Sequence, residues 1–257
     1  MKKLLFLLLI FPIVFYGQDN YNNYISSVSA YEYEKGTESI IAEEYFDKGT
    51  EIMKELFKSS VPGVLVNDFF GESANSLKKA IIFFKKAIET DADYAEAYGN
   101  MAYCYQALNM HNKAIENYLL ELKILPNSQT ALNGLALSYI NENLFKNAET
   151  TYEKLLQLNM KGVTDLEDAS INLTYPLYGL GQLYYFTKDY EKSRIYAGSA
   201  AELADKHNFY SLAEDALLIV AKSNYAAGNK EIAQSILNDL TKRGHKASQR
   251  FLSTISK

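Results

Sequence analysis

Chemistry by a polypeptide needs a nucleophile, a general base or a metal held by converging donors. The chain has three histidines, His111, His207 and His245, and their positions at expected turns and helix ends place them on no common face. Cys104 is the single cysteine, set between Tyr103 and Tyr105 on an expected buried helix. It has no partner for an intramolecular disulfide and reads as a small buried hydrophobe. Glu43 and Glu44 are adjacent, and consecutive residues on a helix point apart, which unsuits them to joint acid–base work. Asp165, Glu167 and Asp168 gather carboxylates of the kind a hard cation prefers, but lack the Asp-x-Asp-x-Asp-Gly order of a calcium loop. They read as a solvated linker or a helix cap. The zinc-binding His-Glu-x-x-His pattern, the nucleophile elbow and the phosphate-cradling glycine loop are all missing from the sequence. The expectation is a protein without catalytic residues, metal or cofactor.

Composition narrows the remaining classes. The 257 residues are 48% hydrophobic, enough for a sizeable core, with 21 tyrosines and no tryptophan. Formal net charge is −5, which argues against nucleic acid as a partner, since that needs clustered Lys and Arg. Lys2 and Lys3 precede an apolar run from Leu4 to Phe15. That is the build of a secretory signal peptide over 1–17, with cleavage expected after Gly17 and an exported, periplasmic or extracellular product. Membrane contact is expected only if this segment is retained. Residues 18–36 are polar and rich in Tyr, Asn and Ser, and read as a flexible leader.

The elements that position everything else show in the spacing of small and aromatic residues. Counting Ala95 as one, Tyr98, Met101, Ala102 and Tyr105 fall at 4, 7, 8 and 11, and Ala114, Tyr118, Leu122 and Pro126 at 20, 24, 28 and 32. The first four share one face of a helix and the next three share one face of a second. Ala102 and Ala114 let the two helix backbones approach closely, Asp93 with Glu96 reads as a capping box, and Pro126 ends the pair. This ladder resembles the tetratricopeptide repeat, a helix-turn-helix unit of about 34 residues. The chain is expected to be all-α, a right-handed αα-superhelix of about four to five such units over 37–257.

The register repeats along the chain. Clear units are expected at 95–128, at 129–162 with Leu132, Leu135, Ala136, Tyr139, Ala148 and Tyr152, and at 174–207 with Leu177, Leu180, Gly181, Tyr184, Ser193 and Ala197. Weaker units occupy 37–94 and 214–247, and Lys246 to Lys257 resembles a capping helix with Phe251, Leu252 and Ile255 inward. Two insertions interrupt the array, an apolar one at 59–72 and an acidic one at 163–173.

The resemblance also implies a function. Stacked repeats of this family hold partners in a concave groove lined by first-helix positions 2, 5, 9 and 12. Here those positions carry Tyr103 and Gln106, then Asn133, Leu137 and Ile140, then Tyr175, Tyr178, Gln182 and Tyr185, and last Lys222 and Tyr225. A tyrosine-rich groove suits a protein or an extended peptide as partner. The lysine and asparagine with which some members clamp a carboxylate are replaced by Gly99 and Tyr103, then Asn133 and Leu137. Three other modes remain open: an envelope assembly contacted through the convex face and the 59–72 insertion, a membrane-tethered form, and a weak enzyme or small-ligand binder. The sequence does not set the oligomeric state.

Overall fold

The computed structural model describes residues 37–59, 72–161 and 171–255. The expected signal segment, the leader and almost all of the two insertions lie outside these residues. Eleven α-helices make up the described part: α1 (Ile40–Ser59), α2 (Glu72–Thr90), α3 (Ala95–Ala107), α4 (His111–Ile124), α5 (Gln129–Asn141), α6 (Phe145–Met160), α7 (Thr174–Phe186), α8 (Tyr190–Lys206), α9 (Tyr210–Ala226), α10 (Lys230–Lys242) and α11 (Lys246–Ile255). No strand occurs among the described residues.

Each helix packs on the next in sequence, and the first helices also touch one another, α3 with α5, α5 with α7 and α7 with α9. No pair of second helices makes a comparable contact. The stack therefore curves with its first helices inside.

Small residues permit the close pairing. Ala102, Ala114, Ala136 and Ala148 have no exposed surface, and Gly181 abuts Ala197 so closely that any side chain there would strike it. Tyr105 and Tyr184 are buried, Tyr98 and Tyr139 half-buried, and Pro126 exposed. The ring of Tyr118 lies where a side chain on Gly134 would be, and the ring of Tyr152 does the same to Gly179. The second helices α4 and α6 thus each insert a tyrosine into a notch in the first helix of the following unit.

The turns recur as well. Asn109, Asn143, Lys188 and Gly228 are the fifteenth residues of their units, and all adopt positive φ, between 57° and 89°. Asn and Gly accept this left-handed conformation readily. In the turn after Asn109 the N–H of Met110 donates to the Tyr105 carbonyl at 2.8 Å, and in the turn after Asn143 Leu144 donates likewise to Tyr139. That bond closes the first helix and sets the angle of the second.

Helix starts differ from expectation in two places. Ser39 caps α1 through the Ala42 N–H at 3.3 Å, and Ser128 caps α5 through Ala131. The capping box of Asp93 and Glu96 is not formed. Tyr94 occupies the cap position of α3 without a side-chain cap bond, because Asp91 organises this turn instead, accepting from the Asp93 N–H at 3.0 Å and from the Thr37 hydroxyl. The last full unit also differs: its first helix begins at Tyr210, four residues ahead of the expected Glu214.

Candidate partner-binding face

The inner face is built by α3, α5, α7 and α9, and the expected groove residues divide into two groups on it. Tyr103, Asn133, Leu137, Gln182, Tyr185, Lys222 and Tyr225 are half-buried and keep part of their surface on the solvent side. Gln106, Ile140, Tyr175 and Tyr178 are buried, at 3%, 7%, 6% and 6% exposure. These four are corrections to the expected groove.

Gln106 is committed to the interior. Its Nε2 donates to the Gly134 carbonyl at 3.1 Å and to Ser138 Oγ at 3.2 Å, while its Oε1 accepts from the Tyr118 hydroxyl at 3.2 Å. Tyr175 and Tyr178 belong to one core cluster with Leu212, Ala216 and Ile219 of α9, since α9 lies against both α7 and α8. The Tyr178 hydroxyl accepts from Gln182 Nε2 at 2.9 Å, and burial raises its phenol well above the usual value, helped by the Asp215 charge. Both tyrosines lie beneath the inner face, and Tyr178 holds Gln182 in place.

Aromatic contacts orient the remaining rim. Tyr185 meets Phe186 at 5.9 Å and Tyr190 at 6.1 Å between ring centroids. Tyr225 meets Phe251 of α11 edge-on at 6.0 Å, and Lys222 Nζ stands 5.6 Å over the same ring. Burial lowers the Lys222 ammonium to about 8, with the Asp215 carboxylate opposing.

An Asp–His–Ser chain that sequence reading missed sits beside this end of the face. His245 Nε2 lies 3.0 Å from Asp215 Oδ1, and His245 Nδ1 lies 2.7 Å from Ser248 Oγ. Thirty residues separate Asp215 from His245, so only the fold brings them together. The order matches that of a serine nucleophile with its base and orienting acid. Ser248, however, has no exposed surface, and a nucleophile must reach its substrate. The chain is structural: it satisfies Asp215, whose carboxyl is raised by burial against the pull of His245, and it docks the start of α11 on α9. The other two histidines lie apart from it, His111 buried at the start of α4 and His207 at the end of α8.

Cys104 is also buried, 3.6 Å from the Met53 sulfur, and burial pushes its thiol up, away from the reactive thiolate. Among the described residues no group of three His, Cys, Asp or Glu side chains is placed to hold a metal ion. No described helix is long and apolar enough to cross a membrane.

Comparison with known proteins agrees with this geometry. Models described as tetratricopeptide repeat match residues 83–116, 130–160, 175–207 and 215–243. A stretch of 94 residues is 29% identical to the peroxisomal targeting signal receptor of Yarrowia lipolytica; it covers 37% of this chain and only 16% of that receptor's length. Among solved structures, BtubC (BKLC) from P. vanneervenii superposes with a TM-score of 0.58 at 18% identity, over 89% of this chain and 92% of its own. MamA from Desulfovibrio magneticus RS-1 gives 0.59 at 14% identity, over 83% and 99%. A thermophilic TPR protein of Thermus thermophilus gives 0.53 at 14% identity, over 84% and 100%. By matched sequence and by fold, this chain is a tetratricopeptide-repeat protein, an all-helical solenoid.

Proposed function

We propose that the protein is an exported, non-catalytic scaffold that holds a protein or an extended peptide on the inner face of α3, α5, α7 and α9. One observation carries the reading. Half-buried side chains with a polar tip or a large apolar surface, Tyr103, Asn133, Leu137, Gln182, Tyr185 and Tyr225, recur on helices that lie side by side along the concave side. Tyrosine and the amides offer contact area and main-chain hydrogen bonds with few rotors to freeze. Similarity to a protein named as a targeting-signal receptor supports a peptide-holding role, and the targeting signal itself is not carried over. Occupancy is the whole mechanism, and no bond is made or broken.

The test is photo-crosslinking in native cells from Leu137 and from Tyr185, with Glu153 on α6 as an exposed outer control, followed by mass spectrometry. A shared adduct at the two inner positions and none at Glu153 is the expected result. Adducts at all three positions, or at none, would remove the groove from consideration. The mass of the mature chain reports separately on export, with loss of residues 1–17 expected.

One observation favours a second reading, assembly through the outer face. Ile82, Leu119, Leu120, Ile195 and Ile232 all lie on second helices and are 41–60% exposed. Crosslinking from Ile195 alone would point there.

A further inference from the structure

The inner face differs from the rest of the solenoid in charge. Helices α5 and α7 hold 13 residues each, and neither contains an Asp, Glu, Lys, Arg or His. The chain is 22% charged, so two such helices at average composition would carry roughly six charges. Burial accounts for part of this, since most of α7 is core. It does not account for the half-buried positions, where Asn133, Leu137, Tyr139, Gln182, Tyr185 and Phe186 stand. The intervening second helices carry charge at exposed positions, Lys146, Glu153 and Lys154 of α6 and Glu191 and Lys192 of α8, and also at half-buried ones, Glu149 of α6 and Arg194 of α8. Charge reappears on the first helices only toward the two ends of the face, at Glu96 of α3 and at Glu214, Asp215 and Lys222 of α9.

We infer that the α5–α7 strip selects an uncharged, extended segment of the partner, a conclusion that rests on the groove reading and specifies it. Two neighbouring helices span about 20 Å, which an extended chain crosses with about six residues at about 3.3 Å each. A charged side chain laid there loses hydration and finds no opposite charge on either helix, so the strip discriminates by rejection as well as by contact. Asn133 and Gln182 each carry a donor and an acceptor suited to a peptide main chain. Gln182 is already oriented by its bond to Tyr178. Leu137 and Tyr185 supply the apolar contact beside them.

The experiment is selection of random displayed 12-residue peptides on the full chain. Recovered peptides are then measured against Gln182→Glu, Gln182→Lys, Asn133→Glu, Asn133→Lys and Leu137→Ala, with helicity and melting followed so that lost fold is not read as lost binding. The expected peptides are depleted at least threefold in Asp, Glu, Lys and Arg over a central run of about six residues. Their affinity changes less than twofold between low and high salt, and both signs of introduced charge weaken binding at least tenfold. Binders enriched in one sign of charge, with the Glu and Lys variants moving affinity in opposite directions, would overturn the inference and leave the groove reading standing. Binders indifferent to all five substitutions, or an absence of binders, would bring down both.

Discussion

Tyr118 and Tyr152 occupy the same place in successive units and are held in different ways. Tyr118 rests on a polar bracket: its hydroxyl donates to Gln106, which is tied in turn to Gly134 and Ser138, and Ser138 donates to the Gly134 carbonyl at 2.8 Å. One unit later the residues matching Gln106 and Ser138 are Ile140 and Leu183, both buried hydrophobes. Tyr152 is fully buried there, and its hydroxyl has no hydrogen-bond partner among the described residues. Burial accordingly drives its phenol far above the ordinary value. Common to both units is the ring in its glycine notch, and peculiar to each is the fate of the hydroxyl. Shape sets the joint between units, and hydrogen bonding is an addition that one joint has and the other lacks.

Substitutions can separate these two contributions. The largest effect belongs to the shared part: Tyr118→Ala and Tyr152→Ala should each cost about 3–5 kcal/mol of stability by leaving a cavity, measured by denaturant unfolding. A difference between them larger than about 3 kcal/mol would mean that the bracket contributes more than the ring. Filling the notch comes next. Gly134→Ala and Gly179→Ala force the methyl into the opposing ring and should cost about 1–3 kcal/mol, an effect that largely disappears when the tyrosine is also truncated. Additive double substitutions would show that ring and notch do not meet in solution. The smallest effect carries the most information. Tyr118→Phe should cost about 1 kcal/mol, because the Gln106 amide oxygen loses its donor, and Tyr152→Phe should be neutral or stabilising by about 1 kcal/mol, because an unpaired buried hydroxyl is removed. Equal losses would reveal a hydrogen-bond partner for Tyr152.

These comparisons also explain what the sequence disclosed. The small and aromatic ladder was legible because its period is the helix period, and a residue such as Ala102 or Ala148 can serve only one role when two backbones approach. Asn109 and Asn143 take positive φ as asparagine readily does, whereas Lys188 takes the same left-handed conformation with no such sign in its side chain. The glycine notches left a weaker trace, a glycine at the sixth place of the unit after a tyrosine at the twenty-fourth, and that pairing acquires meaning only once the stack is known. The inner face was partly legible. Positions transferred from the family located the inner helices, but burial at any one of them depends on how closely the next first helix lies. Tyr178 and Gln182, four residues apart on one helix, fall on opposite sides of that boundary. The Asp215–His245–Ser248 chain had no local signature, since its bonds cross two helices.

The tyrosine notches have a consequence for where the array can be divided. A unit drawn from one helix pair to the next places each ring in one module and its seat in another. A fragment ending at residue 161 would retain the Tyr152 ring and lose Gly179 opposite it, exposing a large aromatic surface to water and to other copies of itself. The indivisible module is therefore longer than the sequence period by one helix. At these two joints, excision, swapping or grafting should keep fold only when the cut falls after the first helix that holds the notch, α5 or α7.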